Sequence, residues 1–218
     1  MAAAAATLPA EAAPTAAVEA LAQRSLFRAA LDAGANVKDA DGNIITDGFL
    51  DLCQLVLPLI DSFGAAFGIV RNDISGNIER LRARKASDPA RFRLLYPIVE
   101  EEVARNDVGG SSCTKGLLWL KRAMEFMVSI LRCLQERPSA SMSEVVYEQW
   151  HGWLATSAFS VAFAFVPGRA TFLDRLAGGK FNEQTAADMA QFVSQFGGLL
   201  AEVHQFLDER GQDDPYKV

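Results

Sequence analysis

Ser111-Ser112-Cys113-Thr114-Lys115-Gly116-Leu117-Leu118-Trp119-Leu120-Lys121-Arg122 opens the longest unbroken helical pattern up to that point in the chain. Beyond it, Leu117, Leu120, Met124, Met127, Ile130, Leu131 and Leu134 fall on one side of a helix. Ser111 or Ser112 can cap its start, and Pro138 stops it. Outward from this stretch the same period recurs. Upstream, Val18 to Leu31 allows a helix, with the turn-like Asp41-Gly42-Asn43 further on. Asp47 can cap a second, carrying Phe49, Leu50, Leu52, Cys53, Val56, Leu57 and Ile60, with Pro58 expected to kink it. A third contains Asp73 and runs to about Ala86. Asp88-Pro89 reads as a cap with a first-turn proline, which predicts a fourth helix through Phe92, Leu95, Ile98, Val99 and Val103.

Downstream, Ser141 with Glu144 forms a capping box for a helix expected to pass through His151 to Val166, where Pro167-Gly168 breaks it. Short and long helices follow, Arg169 to Leu176 and Glu183 to about Glu209. No segment combines two-residue alternation with β-branched enrichment, so the chain is expected to be all-α with about eight helices. Residues 1–17, rich in Ala, read as a disordered tail before a single domain over 18–218.

Composition narrows the function. Half the 218 residues are hydrophobic and 14 are Phe, while 22% are charged, which is a globular composition with an apolar surplus. A net charge of −6 argues against nucleic acid as a partner. Cys53, Cys113 and Cys133 are widely spaced, without a Cys-x-x-Cys pair, and suggest neither a disulfide framework nor a zinc site. His151 and His204 lack metal-ligand spacing, so no metal or cofactor is expected. No apolar run reaches the ~20 residues of a spanning helix. The tail has neither the charged start of a secretory signal nor the Arg content of a mitochondrial presequence.

In Asp73-Ile74-Ser75-Gly76-Asn77-Ile78-Glu79-Arg80, helical spacing puts Asp73, Asn77 and Arg80 on one face. A carboxylate, an amide and a guanidinium together offer the acceptors and donors that a polyhydroxylated ligand needs. A solvated helix face has the same look. Trp119 fits a buried helix or a ligand platform. In Trp150-His151-Gly152-Trp153 the imidazole stands between indoles. No nucleophile elbow, phosphate loop or dinucleotide fingerprint accompanies these residues, so an enzyme is not expected.

Together, Asp73 with Asn77, the Leu-Leu-Trp-Leu run ending near Trp119, His151-Gly152-Trp153 and the terminal Tyr216-Lys217-Val218 resemble the glycolipid transfer protein family, plant members most of all. The resemblance runs from about Phe49 to Val218. It implies a two-layer helical sandwich that carries or senses a glycosphingolipid, glucosylceramide first. By the same resemblance, Trp119 stacks on the first sugar ring, Asp73 and Asn77 bind its hydroxyls, and His151 binds the ceramide amide. Arg80 stands where many members carry Lys, Lys115 and Tyr216 join the ligand-binding set, and Trp153 docks on the membrane. Lipid chains would enter an apolar slot, among phenylalanines such as Phe126, Phe159, Phe163, Phe192 and Phe196. The implied protein is a cytoplasmic monomer that touches membranes transiently. A ceramide-1-phosphate carrier of the same family is the alternative, and a helical protein-interaction adaptor is the alternative of another class. The double-phenylalanine tract of animal members is missing at Leu59-Ile60-Asp61-Ser62. Finally, the basic run Arg80, Arg82, Arg84, Lys85, Arg91, Arg93 reads, apart from Arg80, as a solvated helix pair.

Overall fold

The computed structural model describes residues 24–151 and 166–213, with all their side chains except those of Ala66, Trp150 and His151. The expected tail over 1–17 and the end of the His151 helix lie outside the described residues. Among these there are eight α-helices: α1 (Leu26–Gly34), α2 (Thr46–Asp61), α3 (Gly68–Ser87), α4 (Tyr96–Ala104), α5 (Cys113–Glu136), α6 (Met142–His151), α7 (Arg169–Ala177) and α8 (Glu183–Asp208). A 3-10 turn, Ala65–Phe67, joins α2 to α3, and Gly64 before it takes φ 98°, which favours glycine. The described chain has no strands beyond two isolated bridges.

Three helix starts follow their caps. Ser112 Oγ accepts from Lys115 N at 3.1 Å, and Asn182 Oδ1 accepts from Thr185 N at 2.9 Å. The Ser141–Glu144 box closes both ways, with Ser141 N to Glu144 Oε2 at 2.8 Å and Glu144 N to Ser141 Oγ at 3.3 Å.

Elsewhere the boundaries move. The helix expected from Val18 begins at Leu26 in its described part, because Ser25 Oγ caps it through Arg28 N. Asp47 is not the cap of α2. The cap position is Ile45, and Asp47 instead pairs with Lys85 at 2.7 Å. The helix expected from Asp88-Pro89 is a single turn in which Asp88 Oδ1 accepts from Arg91 N, and α4 starts only at Tyr96. Tertiary pairing wins there. Thr46 N donates to Arg93 O, Thr46 Oγ1 to Phe92 O and Leu95 N to Ile44 O, so residues 92–95 are tied to the α2 entry.

Helix α5 packs against α2, α3, α4, α6 and α8, while α1 packs against α2, α7 and α8. Thus α3, α5 and α8 lie side by side, and α1 with α2 closes over them as a second layer. This is the two-layer helical sandwich. Leu117, Leu120, Met124, Met127, Ile130, Leu131 and Leu134 are all buried, and so are Leu118 and Phe126 on the flanks of that stripe. Burial on nearly every side marks α5 as the central element. Phe63 stacks on Phe172 at 4.9 Å, and Phe192 meets Phe196 at 5.2 Å and Phe27 at 6.1 Å. These phenylalanines belong to one hydrophobic core.

Candidate functional site

Helix α3 buries Val70, Ile74, Ile78 and Leu81, which turns Asp73 outward on the flank that meets α5. Asn77 stands on that flank too, only 4% exposed, and its Nδ2 donates to Asp73 Oδ2 at 3.3 Å. One turn on, Arg80 Nη1 donates to Ser112 O at 3.2 Å, reaching the cap of α5. Gly116 permits the approach. A Cβ there would stand 3.3 Å from Arg80 Nη1 and 3.4 Å from Asn77 Oδ1. Lys115 and Trp119, one turn apart on α5, flank this crossing. Both are partly buried, and the Arg122 guanidinium lies 5.4 Å from the Trp119 ring centre.

Charge at the crossing is of both signs. Burial raises the pKa of Asp73, with Arg80 opposing, although the side chain reaches solvent. Glu102, from α4, takes the first amides of α5. Its Oε1 accepts from Cys113 N at 2.9 Å, and its Oε2 accepts from Thr114 N at 2.7 Å and Thr114 Oγ1 at 2.6 Å. With Ser112 Oγ on Lys115 N and Ser112 O on Gly116 N, the four donors at this helix end are all engaged. The positive end of the α5 dipole is therefore already met by a carboxylate.

The basic run is held by acids: Arg82 by Asp51 at 2.7 Å, Arg84 and Arg91 by Glu101 at 2.8 and 2.9 Å, and Arg93 by Asp39 at 2.8 Å. The cysteines are free and buried, and burial pushes the Cys113 thiol up to about 11. No group of three or more His, Cys, Asp or Glu among the described residues could hold a metal ion. No described helix is long and apolar enough to cross a membrane.

Between α1, α2 and α8 lies an open cleft of about 360 Å³ with a mixed lining, its apolar wall made by Ala30, Leu31, Leu52, Phe192, Phe196 and Leu199 and its polar part including Gln195. Lys38 and Glu202, paired across it, form part of its rim. Phe192 and Phe196 thus line a cavity, whereas Phe126 is buried on α5. Phe159, Phe163, Trp153 and Tyr216 lie outside the described residues. His151 ends α6, and its side chain is outside them as well.

Periodicity did not reveal Gly116, Glu102 or the cavity. A glycine inside a helical run was the one available signal, since such a residue often marks a close approach. Glu102 and the cavity depend on contacts between separate elements, which local spacing does not encode.

A sequence model described as Glycolipid transfer protein (GLTP) matches residues 44–178. Glycolipid transfer protein 1 of Arabidopsis thaliana is 41% identical over 198 residues, covering 87% of this chain and 96% of the relative. The glycolipid transfer protein of Danio rerio is 27% identical over 196 residues, covering 82% and 94%. Among solved structures, human ceramide-1-phosphate transfer protein bound to 12:0 ceramide-1-phosphate superposes with a TM-score of 0.77 at 18% identity, covering 87% of this chain and 98% of that one. A fungal glycolipid transfer protein gives 0.70 at 21% identity, with 87% and 96% covered. At such identities the structural likeness concerns the fold.

Proposed function

The chain belongs to the glycolipid transfer protein family, and on that premise we propose that it carries or senses a neutral glycosphingolipid, glucosylceramide first. Members of this family are lipid transfer proteins and not enzymes. The observation that carries the headgroup reading is the α3–α5 crossing, where Asn77 and Arg80 lie against Gly116, one turn from Trp119, and Asp73 joins them through Asn77. In this reading Trp119 offers its ring to the C–H face of the sugar, Asp73 and Asn77 take the hydroxyls, and Arg80 donates from the side. His151 receives the ceramide amide, Tyr216 joins the set, and Trp153 meets the membrane interface. The lipid chains occupy apolar space continuous with the Phe-rich core.

Charge supports a neutral headgroup. A phosphate entering beside Lys115 would find the amides of α5 taken by Glu102 and would face the Asp73 carboxylate. Lys115 is the observation that favours the ceramide-1-phosphate alternative. One ammonium is a point charge, and it does not replace a pair of guanidinium forks. We further read the chain as a cytoplasmic monomer of one domain over 18–218, peripheral to membranes, with sulfated glycolipid tolerated through Lys115.

The test is transfer between vesicles. Trp119→Ala is expected to lower glucosylceramide transfer by at least about tenfold while helical content holds. Unchanged transfer removes Trp119 from the site. In competition, the parent should prefer glucosylceramide over sulfated glycolipid and carry ceramide-1-phosphate poorly, and Lys115→Ala should depress only the sulfated lipid. Best transfer of ceramide-1-phosphate by the parent would overturn the neutral-headgroup reading.

A further inference from the structure

Lys121 interrupts the apolar stripe of α5 and is only 3% exposed, a place where an unpaired ammonium is strongly disfavoured. Its Nζ pairs with Asp213 Oδ2, contacts His204 Nδ1 at 2.9 Å and reaches Glu125 Oε2 at 3.3 Å. The neighbouring Arg122 gives Nη2 to the other oxygen, Asp213 Oδ1, at 3.0 Å. A single carboxylate, its side chain 6% exposed, thus divides its oxygens between two cations of α5. His204 Nδ1 adds a third contact, at 2.6 Å from Oδ2. This neutralisation is non-local, because 91 residues separate Arg122 from Asp213.

Arg122 also lies over Trp119, with its guanidinium carbon 5.4 Å from the ring centre. The contacts therefore run in series from Asp213 through Arg122 to the indole. A planar guanidinium held at one end by a carboxylate and laid against an aromatic ring restricts both. Without the carboxylate, Arg122 would lose the acceptor of its Nη2, and Lys121 would lose its closest buried partner.

We propose that Asp213 is a positioning residue for the headgroup site: it orients Trp119 through Arg122 and ties the segment that follows α8 to α5. The proposal rests on the reading of Trp119 as a headgroup contact. It differs from a general anchoring role in requiring that the effect pass through one ring.

A double-mutant cycle on the full chain separates the two. Glucosylceramide transfer between phosphatidylcholine vesicles is measured for the parent, Asp213→Asn, Trp119→Ala and the double variant, alongside thermal unfolding. Asp213→Asn is expected to lower transfer by about fivefold in the parent and to add little once Trp119 is gone. Acrylamide quenching of Trp119, in a background with Trp150→Phe and Trp153→Phe, should rise in Asp213→Asn. Equal losses with and without Trp119, or no loss at all, overturn the proposal. Should Asp213→Asn not fold, Arg122→Lys serves instead, since it keeps a cation for Asp213 and loses the planar stack. Normal transfer by that variant also overturns the proposal. If Trp119→Ala itself transfers normally, the headgroup reading falls and takes the transfer role of Asp213 with it. The quenching result then reports separately whether Asp213 orders the ring.

Discussion

At Asp73 the ionised carboxylate works against the fold that holds it, because burial raises its pKa and Arg80 only partly opposes the rise. The sign follows from linkage. A carboxyl whose folded pKa is raised binds its proton more tightly in the native state, so its charge costs stability once pH climbs past the folded value, and the cost vanishes below the unfolded one. Asp73→Asn removes that charge and keeps an oxygen able to accept from Asn77. The thermal midpoint near neutral pH is therefore expected to equal or exceed that of the parent, and the difference should shrink on acidification below the ordinary carboxylate range. Transfer of neutral glycosylceramide should fall by about tenfold in the same variant. A lower midpoint with full transfer would make Asp73 a structural residue.

Elements differ in how plainly the sequence announces them. Helix α5 was legible because its apolar residues keep one period from Leu117 to Leu134 and its cap and stop are local. The turn at Asp88-Pro89 was misread because the same local signals, a capping acid and a proline, also suit a single turn. What decides there is pairing with Ile44 and Thr46, nearly 50 residues away. The grouping of Asp73, Asn77 and Arg80 was legible as a face of α3, but the α5 surface opposite it was not, since that surface depends on a missing side chain. Gly116→Ala tests this. Alanine should favour the helix by about 0.8 to 1 kcal/mol over glycine. Against that, its Cβ would stand 3.3 Å from Arg80 Nη1, the end of a flexible side chain that must yield by a few tenths of an ångström, and would just touch Asn77 Oδ1 at 3.4 Å. Stability is expected to change by no more than about 1 kcal/mol, while glycolipid transfer falls severalfold because Arg80 is displaced. Parental transfer in a stable Gly116→Ala protein would show that the close approach is dispensable.

At the scale of the molecule, α1, α2 and α8 come together around a cleft that none of them forms alone. Ala30, Leu52 and Phe196 are remote in sequence, and each alone reads as plain core, yet jointly they wall a space of about 360 Å³. That volume lies within the usual range for small-molecule sites. Filling it with hydrocarbon gains about 0.8 kcal/mol for each methylene removed from water, so a cavity on the path of a lipid chain should set how chain length affects transfer. Gly198, on α8 at its edge, gives the means to test this, because nothing lies within 4 Å of a Cβ built there. Leucine at that position is also the better helix former, by roughly 0.8 kcal/mol. Gly198→Leu is thus expected to hold or raise the thermal midpoint while narrowing the cavity. Transfer of glucosylceramide with a very long acyl chain should then fall more than transfer of a short-chain one, measured between the same vesicles. Equal losses for both lengths, or none for either, would take this cavity off the path of the chains.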